Sequence, residues 1–367
     1  MKIERIEQYV VQMQLKHHFE TSFAREHTVD KIILAVYADG LTGWGESPVD
    51  SHPYYSPDTV ETCWHIQRDY LIPLLLGREV AHAADLPALF ARVRGHPMAK
   101  AGLEAALWDL EAQQAGLSLA ALLGGTRKRI ESGVSIGIQD SVEELLEQIE
   151  GYLAEGYRRI KIKIKPGWDA DAVRAVRERF PNVPLMADAN SAYTLDHAPM
   201  LRSLDEFNLL MIEQPLAYDD ILDHAALQRQ LKTPVCLDES ITTPGRAREA
   251  LHLGSCRVIN IKPARVGGMT NARQIHDLCQ QAGVPVWCGG LLESGVGRAA
   301  NAAVASLPNF TLPGDISASD RYWHEDIVEP PFTLNPDGTL DVPRGPGLGV
   351  EVRRDRLEKV TLRKAVY

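Results

Sequence analysis

From about residue 129 onward, short apolar runs alternate with longer amphipathic segments. The runs have the aliphatic, partly β-branched composition of strands, and the segments between them carry apolar residues at helical spacing. Strand–helix units repeated in this way predict a parallel sheet, and seven or eight of them predict a closed (β/α) barrel. An open doubly wound sheet is the alternative, but it would carry a glycine-rich phosphate loop after its first strand, and none follows IESGVSIGI at 130–138.

The predicted barrel elements follow one another without long gaps. Ser141 and Glu144 have capping-box spacing at the start of the first helix, and Gly156 is suited to its end. The pattern predicts strands at 130–138, 159–165, 184–188, 209–213, 234–238, 257–262 and 284–288. It predicts helices at 141–156, 169–180, from about 194, 219–231, 244–253 and 268–282.

The N-terminal third of the chain is organised differently. Strand-like stretches at 2–11 and 31–38 precede helical ones near 58–72 and 99–115, which is an α+β pattern. In the last of these helices, apolar residues recur every three or four positions and predict a core-facing stripe. The stripe consists of Leu103, Ala106, Leu107 and Leu110.

Beyond about residue 322 the strand–helix repeat is lost. A segment without its own repeat must pack on another part of the molecule to bury its apolar residues. We therefore predict an α+β unit at 1–125, the barrel at 126–322, and a C-terminal segment, 323–367, that returns to the N-terminal unit.

Composition narrows the functional classes. The 367 residues carry a net charge of −10 and no basic block, which argues against a nucleic-acid-binding protein. No apolar run approaches the roughly 18 residues of a membrane span, and the charged opening MKIERIEQYVV is unlike a signal peptide. The five cysteines are odd in number and include no C-x-x-C pair, so we expect reduced thiols in a cytoplasmic protein and no zinc site.

Charged residues end five successive predicted strands at a nearly constant spacing. They are Lys163, Asp188, Glu213, Asp238 and Lys262, separated by 25, 25, 25 and 24 residues. One strand–helix unit separates each from the next, so in a barrel they stand on neighbouring strands at the carboxyl-terminal rim, where the active sites of such barrels lie. This register is the strongest functional signal in the sequence.

Three of these residues are acids, and their proximity predicts a divalent cation. Asp188 or Asp238 taken alone would fit equally well as the N-cap of the following helix, whereas Glu213 stands before Gln-Pro, where that explanation is weaker. Three carboxylates in one barrel mouth would repel each other at reduced dielectric, and a cation removes the conflict. All-oxygen ligation favours Mg²⁺, with Mn²⁺ or another divalent ion as alternatives.

The two lysines flank the expected metal. Lys163 lies two strands before Glu213 and Lys262 two strands after it, so the lysines approach from opposite sides, which suits proton transfer on either face of one carbon. Removing a proton next to a carboxylate gives an enediolate, whose two charged oxygens a metal ion stabilises. In the strand RIKIKIK, Lys161 shares the face of Lys163, and its charge would favour the neutral base by repulsion. We expect Lys165 to reach solvent.

Motifs along nearly the whole chain resemble those of the muconate-lactonising-enzyme subgroup of the enolase superfamily. They are AALWDLEAQQAG, KIKIKPGWD, MADAN, IEQP, LDES and NIKPARVGG. The stretch WCGGLLESGVGRAANAAVASLPNFTLPGDISASDRYW is most similar to the branch that contains o-succinylbenzoate synthases and N-acylamino acid racemases.

This resemblance implies a (β/α)7β-type barrel with an α+β capping domain built from the N-terminal region and the C-terminal tail. It also implies a homo-oligomer, from dimer to octamer. The metal ligands that it implies for Mg²⁺ are Asp188, Glu213 and Asp238, and the acid/base pair is Lys163 and Lys262. Residues at positions that support these groups are Lys161, Asn190 and Glu239.

By the same resemblance, the substrate is a small-molecule carboxylate and the reaction is one of two. In the first, a cyclohexadiene carboxylate is dehydrated to o-succinylbenzoate for menaquinone synthesis, with Lys163 as sole acid/base and Lys262 as a cation over the ring. In the second, an N-succinyl amino acid is racemised and each lysine serves one face. Further alternatives are a muconate cycloisomerase, a dipeptide epimerase, and a retired barrel that binds an anion. Dipeptide epimerases typically carry D-x-D where this chain has Asp315 and Ser317.

Substrate contacts have weaker signals. In this family a loop near residues 15–29 closes over the site, and residues after the seventh and eighth strands lie near the barrel mouth. The candidate contacts are His18, Phe19, Ser22, Phe23, Glu293, Ser294, Asp315 and Ser317. The first four would otherwise be incidental residues of a mobile surface loop. The tract SGVGRAAN, at 294–301, predicts a helix start with a backbone anion site.

Overall fold

Both ends of the chain contribute to one antiparallel sheet. The computed structural model describes residues 1–22 and 24–367. In it, β1 (Ile3–Glu20) pairs with β2 (Arg25–Ala38), β2 pairs with β3 (Leu41–Ser47), and β1 also pairs with the last strand, β15 (Thr361–Val366). The C-terminal tail therefore completes the capping domain that the N-terminal region begins.

A helical layer packs on this sheet. Its helices are α1 (Val60–Ile66), α2 (Ile72–Leu75), α3 (Leu86–Leu89), α4 (Pro97–Gln114) and α5 (Leu119–Leu123). The stripe predicted in α4 is buried against β2 and β3. Gly45 of β3 allows the close approach, because a β-carbon at this position would overlap the carbonyl oxygen of Gly102 in α4.

The strand–helix repeat forms a curved parallel sheet, with seven strands among the described residues in sequence order. They are β5 (Gly133–Ile136), β6 (Arg159–Lys163), β7 (Leu185–Asp188), β8 (Ile212–Glu213), β9 (Val235–Leu237), β10 (Val258–Ile261) and β11 (Val286–Cys288). Parallel bridges Val286–Phe310 and Ser132–Gly314 connect the two edges through residues 310–314. This segment takes the place of an eighth strand, so the closed barrel is confirmed and the open doubly wound sheet is excluded.

Helices surround the barrel, and their ends follow the capping rules. They are α6 (Val142–Glu155), α7 (Ala170–Arg179), α8 (Ala198–Ser203), α9 (Leu222–Gln228), α10 (Pro244–Leu253), α11 (Met269–Gln281) and α12 (Gly295–Ala305), and α13 (Arg354–Val360) precedes β15. Ser141 Oγ accepts a hydrogen bond from Glu144 N (3.2 Å), and Gly156 ends α6 with a φ of 107°. Among the described helices, none combines the length and apolar character needed to cross a membrane.

Three elements differ from the sequence prediction. The strand predicted at 130–138 divides into β4 (Arg129–Glu131), which pairs with β13 (Thr339–Asp341), and β5, which enters the barrel. A second short antiparallel pair joins β12 (Val328–Glu329) to β14 (Glu351–Val352). Strand β3 was not predicted, because glycines interrupt its apolar pattern. The expected domain boundaries stay a prediction.

The prediction of a loop over residues 15–29 was wrong. Strand β1 extends to Glu20 and β2 begins at Arg25, so most of this region is a long hairpin. Alternating burial continues along β1 to Leu15, where the apolar face still packs on the core. Between the two strands, the Thr21 amide donates to the Ala24 carbonyl oxygen (2.9 Å), and Phe23 falls outside the described residues.

Carboxylates of the capping domain bind helix N-termini of the barrel. Glu104 of α4 accepts hydrogen bonds from the amides of Met269 (2.6 Å) and Thr270 (3.0 Å) in α11. Glu46 of β3 accepts from the amides of Ser294 (3.1 Å) and Gly297 (2.9 Å) at the start of α12. Free amides and the helix dipole both favour an anion there. The tract SGVGRAAN is thus a helix start with a backbone anion site, and the anion is Glu46.

Candidate active site

Alternation along the barrel strands separates an apolar layer from a charged one. Met186, Met211, Cys236, Val258 and Trp287 form a buried cluster inside the barrel. Two residues further along β7, β8 and β9 stand the three predicted metal ligands, because successive side chains on one face are two residues apart. All five charged residues of the predicted register are buried, with at most 6% of their surface exposed.

The three acids bind ammonium and guanidinium groups. Asp188 accepts from Lys163 (2.7 Å) and lies 3.2 Å from Lys161. Asp238 accepts from Lys262 (2.9 Å) and from Arg265. Within residues 1–22 and 24–367, no three acids, histidines or cysteines are already grouped as a metal site. The acids stand on adjacent strands, as predicted; Lys161 lies between Asp188 and Glu213, whereas Asp238 binds Lys262 and Arg265.

Glu213, on the middle strand, has an environment of its own. It accepts from Lys161 Nζ (3.0 Å) and from Asn260 Nδ2 (2.7 Å). Burial, together with the charge of Asp188, raises the pKa of Glu213 to about 8. The site therefore contains a carboxyl group that lacks enough positive charge to ionise fully at neutral pH.

The pKa values of the two neighbouring aspartates move the other way. Burial opposes ionisation, but the ammonium groups of Lys163 and Lys161 hold the pKa of Asp188 below its usual value. For Asp238, burial is likewise outweighed by Arg265 and Lys262, and its pKa is also lowered. Both aspartates are thus charged and available as oxygen donors at neutral pH.

The donor set fits a hard divalent cation. Glu239, next to Asp238, is 5% exposed, and its Oε2 has no hydrogen-bond partner among the described residues. Burial, reinforced by Asp238 and Asp188, raises the pKa of Glu239 well above its usual value. An added cation would supply the charge that Glu213 and Glu239 lack, and carboxylate oxygens are the ligands that Mg²⁺ prefers.

The two lysines of the register line one pocket from opposite sides. Lys163, at the end of β6, donates to Asp188 and to Asn190 Oδ1 (2.6 Å). Lys262, after β10, donates to Asp238 and to the hydroxyl of Tyr55 (2.9 Å). Strands β7, β8 and β9 separate the two, and both lysines line one pocket of about 100 Å³ that opens to solvent. Each lysine thus has its own carboxylate.

Lys161 contacts more acidic side chains than its expected effect on the protonation of Lys163 would require. Its ammonium lies within 3.2 Å of Asp188, 3.0 Å of Glu213 and 2.6 Å of Asp315. It also lies 4.9 Å from the centre of the Trp287 ring. Burial is outweighed by Asp315 and Glu213, so the pKa of Lys161 is raised well above its usual value. Lys161 is therefore a fixed counter-ion of the acids, and its influence on Lys163 stays a prediction.

Sequence reasoning missed several residues that complete the site. Tyr55 donates to Asp238 Oδ2 (3.1 Å) and comes from the capping domain, where no pattern marks it. Arg265, in the motif NIKPARVGG, binds Asp238 and the carbonyl oxygen of Asn260. Arg159 lies 2.6 Å from Asp315 and is 1% exposed, although the strand pattern gave it no role. Of these residues, only Arg265 could have been identified from the sequence, because it lies three residues after Lys262.

Two of the candidate substrate contacts line the pocket. Phe19 and Asp315 are among its walls, and Asp315 is ion-paired with Lys161 and Arg159. The half-exposed Lys165, expected to reach solvent, lies 3.7 Å from Glu20 at the hairpin turn. Asn190, predicted to support the metal and the bases, donates to Glu239 (3.0 Å).

The remaining candidate contacts point elsewhere. His18 is exposed and packs against His27. Ser22 donates to the carbonyl oxygen of Asn190 (3.3 Å), beside the pocket. The side chains of Glu293, Ser294 and Ser317 are not part of the pocket lining formed by the described residues. Glu293 accepts from Asn301 and Ser294 donates to Glu46, so both stabilise the loop rather than contact a ligand.

Comparison with known proteins gives matches along nearly the entire chain. Residues 5–124 match the mandelate racemase/muconate lactonizing enzyme N-terminal domain, and residues 144–356 match the enolase C-terminal domain-like family. An o-succinylbenzoate synthase of Geobacillus kaustophilus is 56% identical over 96% of this chain and 94% of its own. An N-succinylamino acid racemase of Thermus thermophilus is 49% identical over 99% and 98%. A crystal structure of an enolase superfamily member from Listeria innocua covers 100% of this chain and 99% of its own at 42% identity, with a TM-score of 0.96.

Proposed function

The chain belongs to the mandelate racemase/muconate lactonizing enzyme family, and from this membership we propose that its barrel site removes the proton α to the carboxylate of a small-molecule substrate. Members of this family are enzymes that depend on a divalent metal ion. The observation that carries the proposal is the pair of buried lysines that line one pocket from opposite sides, each on a separate carboxylate.

Mg²⁺ is the metal that the donor set fits best, held by Asp188, Glu213 and Asp238. When bound, it stabilises the negative charge that develops on the substrate carboxylate as the α-proton leaves. Lys161 stays close to Asp188 and Glu213 and fixes their orientation, and Asn190 links Lys163 to Glu239. These contacts hold the acids and the base in position before the substrate arrives.

In racemisation, the two lysines exchange roles between enantiomers. The neutral form of one lysine takes the α-proton from its face, giving an enediolate, and the ammonium form of the other returns a proton to the opposite face. The substrate class is an N-acyl amino acid, with N-succinyl amino acids foremost. The relatives named N-succinylamino acid racemase, which align over almost their whole length, support this assignment.

In dehydration, Lys163 does both proton transfers. It removes the α-proton and returns it to the departing hydroxyl on the same face, so that water and o-succinylbenzoate are formed, while Lys262 stays a cation over the ring. The relatives named o-succinylbenzoate synthase support this reaction. A dipeptide epimerase is disfavoured, because Asp315 is already paired with Lys161 and Arg159 and the second acid position is Ser317.

Hydrogen–deuterium exchange at the α-carbon tests the proposal. The wild-type protein with Mg²⁺ in D₂O should incorporate deuterium into both enantiomers of an N-succinyl amino acid. Lys163→Ala should lose dehydration and racemisation in both directions, while calorimetry still detects Mg²⁺ binding. Lys262→Ala should retain exchange from one enantiomer only.

The half-exposed Lys165, two residues beyond the end of β6, offers a matched control. Lys165→Ala should leave exchange from both enantiomers close to wild type, because this side chain lies beyond the pocket lining. Absence of exchange over a broad panel of N-acyl amino acids would contradict racemisation. Rapid turnover of cis,cis-muconate without any action on acylated amino acids would select the cycloisomerase alternative.

A further inference from the structure

One wall of the substrate pocket has an unfavourable backbone conformation. Gly290, Leu291 and Leu292 line the pocket directly after β11. Leu292 has a φ of 54°, in the left-handed region that costs a branched aliphatic residue roughly 1 kcal/mol or more. A loop strained in this way keeps its shape only where contacts around it enforce that shape. The question is which residues supply those contacts.

Leu291 is held through both of its backbone polar groups. Its carbonyl oxygen accepts a hydrogen bond from Lys31 Nζ (2.7 Å), and its amide donates to Glu293 Oε2 (2.9 Å). Glu293 Oε1 in turn accepts from Asn301 Nδ2 (2.9 Å) in α12. The loop is therefore fastened to the barrel on one side and to the capping sheet on the other.

Lys31 is an unusual residue for the interior of β2. It is 0% exposed, it does not line the pocket formed by the described residues, and its ammonium group donates to a backbone carbonyl. Burying an ammonium group is costly, and an apolar side chain of similar volume would usually be neutral or stabilising at such a site. Stability alone thus gives no reason for a lysine here.

Acidic groups of the capping domain compensate the charge of Lys31. Glu46, on the adjacent strand β3, is 4% exposed and binds Ser294 and Gly297. Burial raises the pKa of Glu46 to about 7, and the charge of Lys31 opposes that rise. Burial also raises the pKa of Asp50, which lines the pocket, and Lys31 again acts against it. Lys31 and Glu46 together hold the two ends of the segment 291–294.

We propose that Lys31 is a positioning residue that fixes the Gly290–Leu292 wall and thereby sets which substrates the pocket accepts. It acts through Leu291 and does not touch the substrate. The wall faces the space that contains Lys163 and Lys262, so its position limits the size of the group that a substrate can place beside them. The inference rests on the proposed function for the identity of the substrate, but not for the fastening of the loop.

Lys31→Met tests the proposal, because it removes the donor and keeps an unbranched side chain. By hydrogen-exchange mass spectrometry, the peptide covering 289–294 should exchange roughly tenfold faster than in wild type, the effect of losing one hydrogen bond from a charged donor. The KM for N-succinylphenylalanine should rise roughly tenfold, with a smaller change for N-succinylalanine, while kcat changes less than about twofold. A general loss of stability would not divide KM and kcat in this way.

Two further variants complete the design. Lys100→Met is the matched control, since Lys100 also lies in the capping domain and donates to a backbone carbonyl, that of Val93, away from the 289–294 loop. Lys31→Arg keeps a charged donor and should return the KM for both substrates close to the wild-type values. If Lys31→Met does not fold, Glu46→Gln tests the same segment by removing the opposing charge, and exchange in 289–294 should again rise.

The outcomes are distinguishable. Unchanged exchange in 289–294, or equal KM changes for the large and the small substrate, would overturn the positioning role. If the wild-type protein acts on neither N-succinyl amino acid, the proposed racemisation of these substrates fails, and the exchange measurement still decides whether Lys31 holds the loop.

Discussion

Tyr55 gives the sharpest test of the two-sided arrangement of lysines. Its hydroxyl accepts from Lys262 Nζ (2.9 Å), and its ring centre lies 4.4 Å from the same nitrogen. Tyr55→Phe removes the hydroxyl and retains the ring, so the packing and the cation–π contact remain. The partners of Lys163, which are Asp188 and Asn190, are unaffected. The substitution therefore perturbs one base and spares the other.

The expected magnitude follows from the lost hydrogen bond. A hydrogen bond to a charged group contributes about 1.5–3 kcal/mol, and the loss of one from a buried ammonium is at the full value. If that energy serves to position Lys262 in the transition state, proton transfer on its face slows by roughly 10- to 150-fold. Transfer on the Lys163 face should change by less than about twofold. Tyr55→Phe should therefore slow proton transfer on the Lys262 face much more than on the Lys163 face.

A matched substitution reverses the asymmetry. Asn190 accepts from Lys163 Nζ (2.6 Å) and has a φ of 42°, which glycine adopts without strain. Asn190→Gly should therefore slow transfer on the Lys163 face and spare the Lys262 face. The assay measures α-deuterium incorporation into each pure enantiomer of an N-succinyl amino acid in D₂O, at saturating Mg²⁺ so that metal affinity does not contribute.

Equal slowing for both enantiomers in Tyr55→Phe would refute the reasoning. So would a pattern in which Tyr55→Phe and Asn190→Gly slow the same enantiomer. Either result would mean that the two lysines do not serve separate faces, whatever their separate carboxylates suggest.

Two further predictions concern the interface and the buried acids. Glu104→Ala leaves two amides of α11 without their acceptor and should lower the free energy of unfolding in urea by about 2–4 kcal/mol, whereas the exposed Glu147→Ala should change it by less than about 0.5 kcal/mol. Burial raises the pKa of Asp109 from its usual value of 3.8 to about 6. Protonation of Asp109 therefore stabilises the fold fully below about pH 3.8, and this stabilisation is lost as the pH rises through about 6. Between about pH 5 and about pH 7 the wild type should therefore lose on the order of 1 kcal/mol that Asp109→Asn does not lose, and equal slopes of stability against pH would contradict this.

Periodicity was sufficient to predict the barrel and the residues at its rim. Side chains on one face of a strand recur every two residues, so the alternation in RIKIKIK placed Lys161 and Lys163 together and the isoleucines in the outer core. The repeat of one strand–helix unit then placed Asp188, Glu213 and Asp238 on adjacent strands. Both inferences need only local pattern and the geometry of a parallel barrel.

Contacts between distant segments could not be predicted in the same way. Tyr55 lies 207 residues from Lys262, and Lys31 lies 260 residues from Leu291. Neither residue belongs to a periodic pattern, and each contact depends on how the capping domain docks on the barrel. The strand pattern gave no signal for the closing segment 310–314 for a related reason, since it pairs through isolated bridges and has no apolar run of its own. The family resemblance alone implied an eighth strand before Asp315.

The two domains contribute different groups to the site. The groups proposed to move protons and hold the metal all stand at strand ends of the barrel, whose closed sheet fixes them relative to one another. The groups that orient Lys262 and the Gly290–Leu292 wall, Tyr55 and Lys31, come from the capping domain. Carboxylates of that domain also bind the N-termini of α11 and α12, and α12 begins three residues after Leu292 of the pocket wall. Substitutions in β2, β3 and the segment around Tyr55 should therefore change which carboxylates are accepted, whereas substitutions at the strand ends decide whether the α-proton is removed at all.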